Sequence, residues 1–241
     1  MQSQEITTGN QGINLSISEQ FVYLVESLSQ NELDEYHRQH FLYATIGSCF
    51  ADLFVLNKIK LVDNRIVFID NEKTTYKHIN SLIDAINSIH EDKTMFDVMM
   101  VLEIEKMLEL ESMIKDLLIK KKFLMEKREG FLMFGKKVIL PMNTEYSKEL
   151  FETIRTALES SQDPEKALLY LLAVIKPLDM LPYLYESLKE LDFAKKRLES
   201  LIEYDHTAKM ILRAIENQFK LKDLEHMPKQ KGTSLGMGGR L

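Results

Sequence analysis

The stretch Ala167-Leu-Leu-Tyr-Leu-Leu-Ala-Val-Ile175 is apolar on every side when wound as a helix. Such a helix has no face to give to water, so other elements must enclose it. Asp163 as N-cap, with Pro164 at the first helical position, predicts its start. Pro177 and Pro182 break the chain beyond its end, because proline lacks an amide donor and its ring clashes with the preceding turn. The run is far shorter than the ~20 apolar residues that span a bilayer, and no other uncharged apolar run approaches that length. The chain must therefore build its own enclosing layer.

That layer reads as amphipathic helices. Ser16 and Glu19 have capping-box spacing and open a helix with Phe21, Leu24, Val25 and Leu28 on one stripe. A longer helix over about residues 36–56 carries Phe41, Ile46, Phe50, Leu53 and Phe54. Residues 76–90 place Ile79, Leu82, Ile83, Ile86 and Ile89 at helical spacing. Thr94 and Asp97 form a second capping box, ahead of one long helix expected over residues 96–121. Its apolar lining is Val101, Ile104, Leu108, Met113, Ile114, Leu117 and Leu118. Asn143 or Thr144 caps a segment with Leu150, Phe151, Ile154 and Leu158, and two last helices end near Leu221.

Both long helices run into hairpins. Residues 58–62 and 66–69 flank the turn formers Asp63 and Asn64. Residues 122–125 and 131–134 flank a turn through residues 126–130. The expected fold class is mainly α: a single-domain helical bundle with two inserted β-hairpins following long helices, over residues 15–222. Residues 1–14 are polar, without an apolar signal core. Residues 223–241 follow the domain, and from Pro228 to Leu241 they are rich in Gly, Lys and small side chains. Both ends read as flexible tails. At 241 residues the chain is not long enough to require a second domain.

Charge and composition exclude several function classes. A net charge of −6 disfavours generic nucleic-acid binding, and no basic recognition helix supports a winged-helix regulator despite the repeated helix-plus-hairpin order. Cys49 is the sole cysteine, so no intramolecular disulfide forms, which fits a reducing compartment. It sits on an apolar helix and reads as a small buried hydrophobe. His37 and His40 are three apart, but no further ligand completes a metal site, and the pair reads as surface histidines. Glu103, Glu105, Glu109 and Glu111 lack the Glu-x-x-His partners of a carboxylate metal centre and read as a solvated face. Neither a phosphate-cradling Gly loop nor a Gly-x-Ser-x-Gly elbow occurs. No catalytic residue, cofactor or metal is predicted.

The strongest local signal is residues 115–137, where eight Lys or Arg face three acids, a net of +5 against −11 for the rest of the chain. The candidate lipid-binding cations are Lys120, Lys121, Lys122, Lys127, Arg128, Lys136 and Lys137. Phe123, Met125, Phe131, Met133 and Phe134 are candidates for membrane insertion or for contact with a second copy. The plainer alternative makes Lys120–Lys122 a helix C-terminus favoured by the macrodipole, with the hairpin's apolar face in the core.

Three stretches resemble the Golgi phosphoprotein 3 family in order and spacing. They are Gly47-Ser-Cys-Phe-Ala-Asp-Leu-Phe-Val-Leu-Asn-Lys-Ile-Lys-Leu61, residues 117–134, and the pair Leu169-Tyr-Leu-Leu-Ala-Val-Ile175 with Ala194-Lys-Lys-Arg-Leu-Glu-Ser-Leu-Ile202. The resemblance covers roughly residues 15–220 and is closer to the shorter prokaryotic members. It implies a non-enzymatic, peripheral membrane protein of a family that recognises phosphatidylinositol 4-phosphate and, in eukaryotes, holds glycosyltransferase tails. The family's headgroup pocket, a tryptophan with several arginines, falls at His37, Ile46, Leu108 and Glu111, none of which suits a phosphate. The leading expectation is therefore a lipid-headgroup binder using the basic hairpin on an anionic membrane. The alternative is a scaffold or homo-oligomer built on the apolar hairpin. The expected location is cytoplasmic, with any membrane met from its surface.

Overall fold

Two long helices each end in the same cap and pass directly into a hairpin, and this repeated unit organises the chain. The computed structural model describes residues 15–28, 35–89, 93–129 and 136–226. Helix α1 (Ile17–Leu28) opens with the predicted capping box: Glu19 accepts from the Ser16 amide at 2.8 Å and Ser16 Oγ from the Glu19 amide at 3.3 Å. Helix α2 (Glu35–Val55) ends with Asn57 at φ 55°, its amide donating to the Phe54 carbonyl while Lys58 donates to Leu53. This is a Schellman cap, in which a left-handed residue lets the chain turn back on its last carbonyls. Strands β1 (Ile59–Val62) and β2 (Arg65–Phe68) follow, paired antiparallel around Asp63 and Asn64, both at positive φ as a two-residue hairpin turn requires.

Helix α3 (Lys77–Ser88) buries Ile79, Leu82, Ile83 and Ile86, and His78 with them. The single helix expected over residues 96–121 is two: α4 (Met95–Val101) and α5 (Ile104–Lys120), separated by Leu102 and Glu103 in extended conformation. No Gly or Pro causes this break. Helix α4 packs mainly on the last helix of the chain and also on α2, whereas α5 packs on α1, α2 and α3. Val101 and Ile104, expected in the core, flank the break and are 62% and 42% exposed.

The cap then recurs. Lys122 lies at φ 63°, its amide donates to Ile119, and Phe123 donates to Leu118. Strand β3 (Leu124–Glu129) pairs antiparallel with β4 (Lys136–Pro141), in register Leu124↔Pro141 through Glu129↔Lys136. The return strand is thus not residues 131–134. Those fall between the strands, outside the described residues. The β-branched and aliphatic Val138, Ile139 and Leu140 are better strand material, and Ile139 packs on the core.

Asn143 caps α6 (Thr144–Glu159) by accepting from the Tyr146 amide at 3.0 Å. Helix α7 (Lys166–Ile175) buries every side chain from Leu169 to Ile175, as its all-round apolar sequence demands, and packs on α1, α2 and the last two helices of the chain. It begins two residues later than expected. Asp163 accepts instead from Arg197 at 3.0 Å, across the α6–α7 connection. Both prolines sit in 3-10 turns, Lys176–Leu178 and Leu181–Tyr183. Helices α8 (Leu188–Tyr204) and α9 (His206–His226) complete the bundle, with α9 extending past the expected boundary at residue 222. Among the described residues no helix is long and apolar enough to cross a membrane.

Candidate functional site

The end of α5 and the hairpin behind it carry the basic island. Lys120, Lys122, Lys127, Arg128 and Lys137 are exposed. The pleat separates them, since Arg128 faces Lys137 across the ladder while Lys127 pairs with Val138 and points to the opposite face. Lys137 also reaches Glu126 at 2.7 Å, an exposed pair of small energetic weight. The backbone of Lys136 pairs with Glu129 at the last described rung. Met125 is 40% exposed, while Phe131, Met133 and Phe134 lie outside the described residues.

Two of the predicted contact residues turn inward. Phe123 is 1% exposed, with its ring edge-on to Tyr23 at 5.7 Å and to Tyr146 at 4.9 Å. It is a core residue, because the left-handed Lys122 swings the next side chain back beneath α5, where it meets α1 and α6. Lys121 lies 2.6 Å from Oε1 of the fully buried Glu19, an ion pair off the hydrogen-bonding axis. Lys121 is thus paired with Glu19 and only partly exposed.

Of the positions at which the resemblance puts the family pocket, three have described side chains, and all three are engaged within the bundle. Ile46 is fully buried and Leu108 packs on the core. Glu111, expected on a solvated face, is 4% exposed and lies 2.7 Å from Lys115, which also meets Glu26 at 2.6 Å. Arg38 stands 3.8 Å from the same carboxylate. Burial pulls the Lys115 ammonium down, but the two carboxylates outweigh it and raise its pKa. The side chain of His37 lies outside the described residues. His40 is a buried histidine, its ring stacked on Phe219 at 4.0 Å and its Nε2 3.6 Å from Asp223. Among the described residues no group of three or more His, Cys, Asp or Glu is placed to hold a metal.

A second cluster lies inside the bundle and was missed by spacing arguments. Asp52, wholly buried on α2, accepts from the Ile17 amide at 2.7 Å, the Ser18 amide at 3.1 Å and the Ser18 hydroxyl at 2.5 Å. It thereby satisfies the free amides of α1's first turn. Ser18 Oγ also lies 3.0 Å from His78 Nε2 and 3.0 Å from Ser16 Oγ. Burial pushes the Asp52 carboxyl up to about 7 against the pull of these donors. Burial, with the nearby Lys121 charge, lowers His78 to about 4. Although these are the residue types of a hydrolytic triad, the carboxylate holds the serine rather than the histidine, and all three are shut off from solvent. The sequence does carry a signal: Asp52 is the lone acid in the apolar stretch of residues 46–56, and His78 continues the Leu82–Ile86 stripe by one turn.

A helical bundle with two Schellman-capped helix–hairpin units, a buried central helix and a basic second hairpin defines the class of domain. The profile of Golgi phosphoprotein 3 (GPP34) matches residues 19–218, and the chain belongs to that family. A comparison with curated proteins gives no match.

Proposed function

We propose that this protein is a non-enzymatic, peripheral membrane-binding member of its family, touching anionic lipid with the end of α5 and the second hairpin. The observation that carries this reading is the concentration of exposed cations there. Lys120, Lys122, Lys127, Arg128 and Lys137 are exposed on an otherwise acidic chain, with exposed Met125 among them. Each cation near an anionic leaflet contributes about 1 kcal/mol, less screening, so the group together is enough for reversible attachment. The family's phosphoinositide pocket has no part in this reading, because the resemblance puts there Glu111, a carboxylate already engaged with Lys115 and Arg38. The split of Lys127 from Arg128 across the pleat favours a hairpin entering the headgroup layer over one lying flat upon it.

The test is co-sedimentation of the full chain with vesicles containing or lacking an anionic lipid. Retention on anionic vesicles should fall on the order of 100-fold in the Lys122→Glu/Lys127→Glu/Arg128→Glu variant. Equal retention on neutral vesicles, or no loss in the variant, rejects the reading. Phe131 and Phe134 belong to the alternative, a hairpin-built oligomer. A stable oligomer in light scattering that dissociates on Phe131→Asp or Phe134→Asp, with no vesicle binding, selects that alternative instead.

A further inference from the structure

We propose that Asp52, Ser18 and His78 form a buried proton relay, and that its proton seats the root of the second hairpin. The Ser18 hydroxyl stands between the two titratable groups, within hydrogen-bond reach of both. When Asp52 is ionised, the hydroxyl donates to the carboxylate and His78 donates its Nε2 proton to Ser18 Oγ. When Asp52 is protonated, its O–H donates to Ser18 Oγ, the serine proton turns to His78 Nε2, and the imidazole carries its own proton on Nδ1. A single added proton therefore reverses both hydrogen bonds and switches the histidine tautomer. In the protonated state no member of the relay is charged, which suits a site without water.

The relay reaches the hairpin by two routes. Residue 19 shares α1's first turn with Ser18, and the Glu19 carboxylate holds Lys121 at 2.6 Å. On the other side the His78 ring packs against Tyr76 at 5.8 Å, and the Lys121 ammonium lies over the Tyr76 ring at 5.9 Å. Lys121 immediately precedes the left-handed Lys122 and the buried Phe123, whose carbonyl accepts from the Met142 amide at 2.8 Å. The titratable groups around Asp52 are Glu19 on α1, Cys49 on its own helix and His78 on α3, with Lys121 and Tyr146 one contact further out. Burial and Asp52 push the Cys49 thiol up, and burial with the Glu19 charge pushes the Tyr146 phenol up. An ionised Asp52 gains most from water, so losing the proton favours openings that lift α1's first turn and release Lys121 with it.

The experiment is amide hydrogen exchange of the full chain, corrected for the intrinsic pH effect, at Phe123 and Met142 between about pH 6 and 8. One proton released on opening changes the opening equilibrium by about tenfold per pH unit. Protection should fall about threefold in the wild type, where His78 opposes Asp52, and about tenfold in His78→Gln. It should not fall in Asp52→Asn, which mimics the protonated acid. Lys121→Met should remove the fall at Phe123 and Met142 while carbon-13 NMR still finds the Asp52 carboxyl titrating near neutrality. An Asp52 that titrates in the ordinary carboxylate range overturns the proposal. So does the same pH dependence in wild type and His78→Gln, or a Lys121→Met variant whose hairpin root behaves as wild type. Should Asp52→Asn fail to fold, the NMR titration and the His78→Gln comparison decide.

Discussion

Lys122 shows how one residue answers to two demands. Its left-handed backbone ends α5 and aims Phe123 into the Tyr23–Tyr146 pair, a conformation that costs a side-chain-bearing residue about 1 kcal/mol and glycine almost nothing. Lys122→Gly should therefore raise the urea midpoint, by up to about 1 kcal/mol of stability, while weakening retention on anionic vesicles. A variant that loses stability would mean the lysine stem contributes more packing than its backbone costs. Gly47 carries the opposite constraint. A Cβ there would stand 2.5 Å and 2.8 Å from Cδ1 and Cγ1 of Ile215, on α9, which packs against α2. Gly47→Ala should cost about 1–3 kcal/mol by overpacking. Ile215→Val, which removes Cδ1, should recover part of that loss in the double variant.

At the scale of elements, the features legible in the sequence are those that local chemistry decides. The capping boxes at Ser16–Glu19 and Thr94–Asp97, the Asn143 cap and the Asp63-Asn64 turn are all formed as their residue types require. The buried α7 comes directly from an apolar run with no polar face. The features that were not legible depend on partners distant in sequence. Residues 102 and 103 are ordinary helix formers, and the break between α4 and α5 coincides with a change of packing partner, from α9 to α1 and α3. The return strand of the second hairpin was misplaced because residues 131–134 are as apolar as Val138–Leu140. Thr94→Ala tests the element that this break isolates. A seven-residue helix has little stability of its own, so losing its capping box should cost about 1 kcal/mol. Exchange protection should drop first at Val98 and Met99, and only later in α5. Equal loss in both helices would mean they melt as one unit despite the break.

Taken as a whole, the molecule buries a carboxyl and an imidazole that respond to pH in opposite directions. Folded Asp52 keeps its proton up to about 7, while in the unfolded chain it gives it up near 4. Its contribution to stability is therefore full in acid and is lost as pH rises from about 4 to 7. Folded His78 stays neutral down to about 4, whereas unfolded it charges near 6.5. Its contribution is full above about 6.5 and is lost as pH falls towards 4. Between about pH 4 and 6.5 folding takes up a proton at one site and releases one at the other. The two slopes, each up to about 1.4 kcal/mol per pH unit, cancel. The sequence shows two isolated polar residues on apolar stripes. It does not show that the fold buries both completely, and the cancellation depends on that burial. Asp52→Asn should leave the His78 slope alone, so its stability relative to wild type falls as pH is lowered from 6.5 to 4.5. His78→Gln should leave the Asp52 slope, and its relative stability falls as pH is raised over the same range. The double variant should again track wild type, because groups elsewhere titrate alike in all four proteins. Urea midpoints at the two pH values read these differences. Single variants that shift in the same direction would show that one of the two groups titrates in the folded bundle much as it does in water.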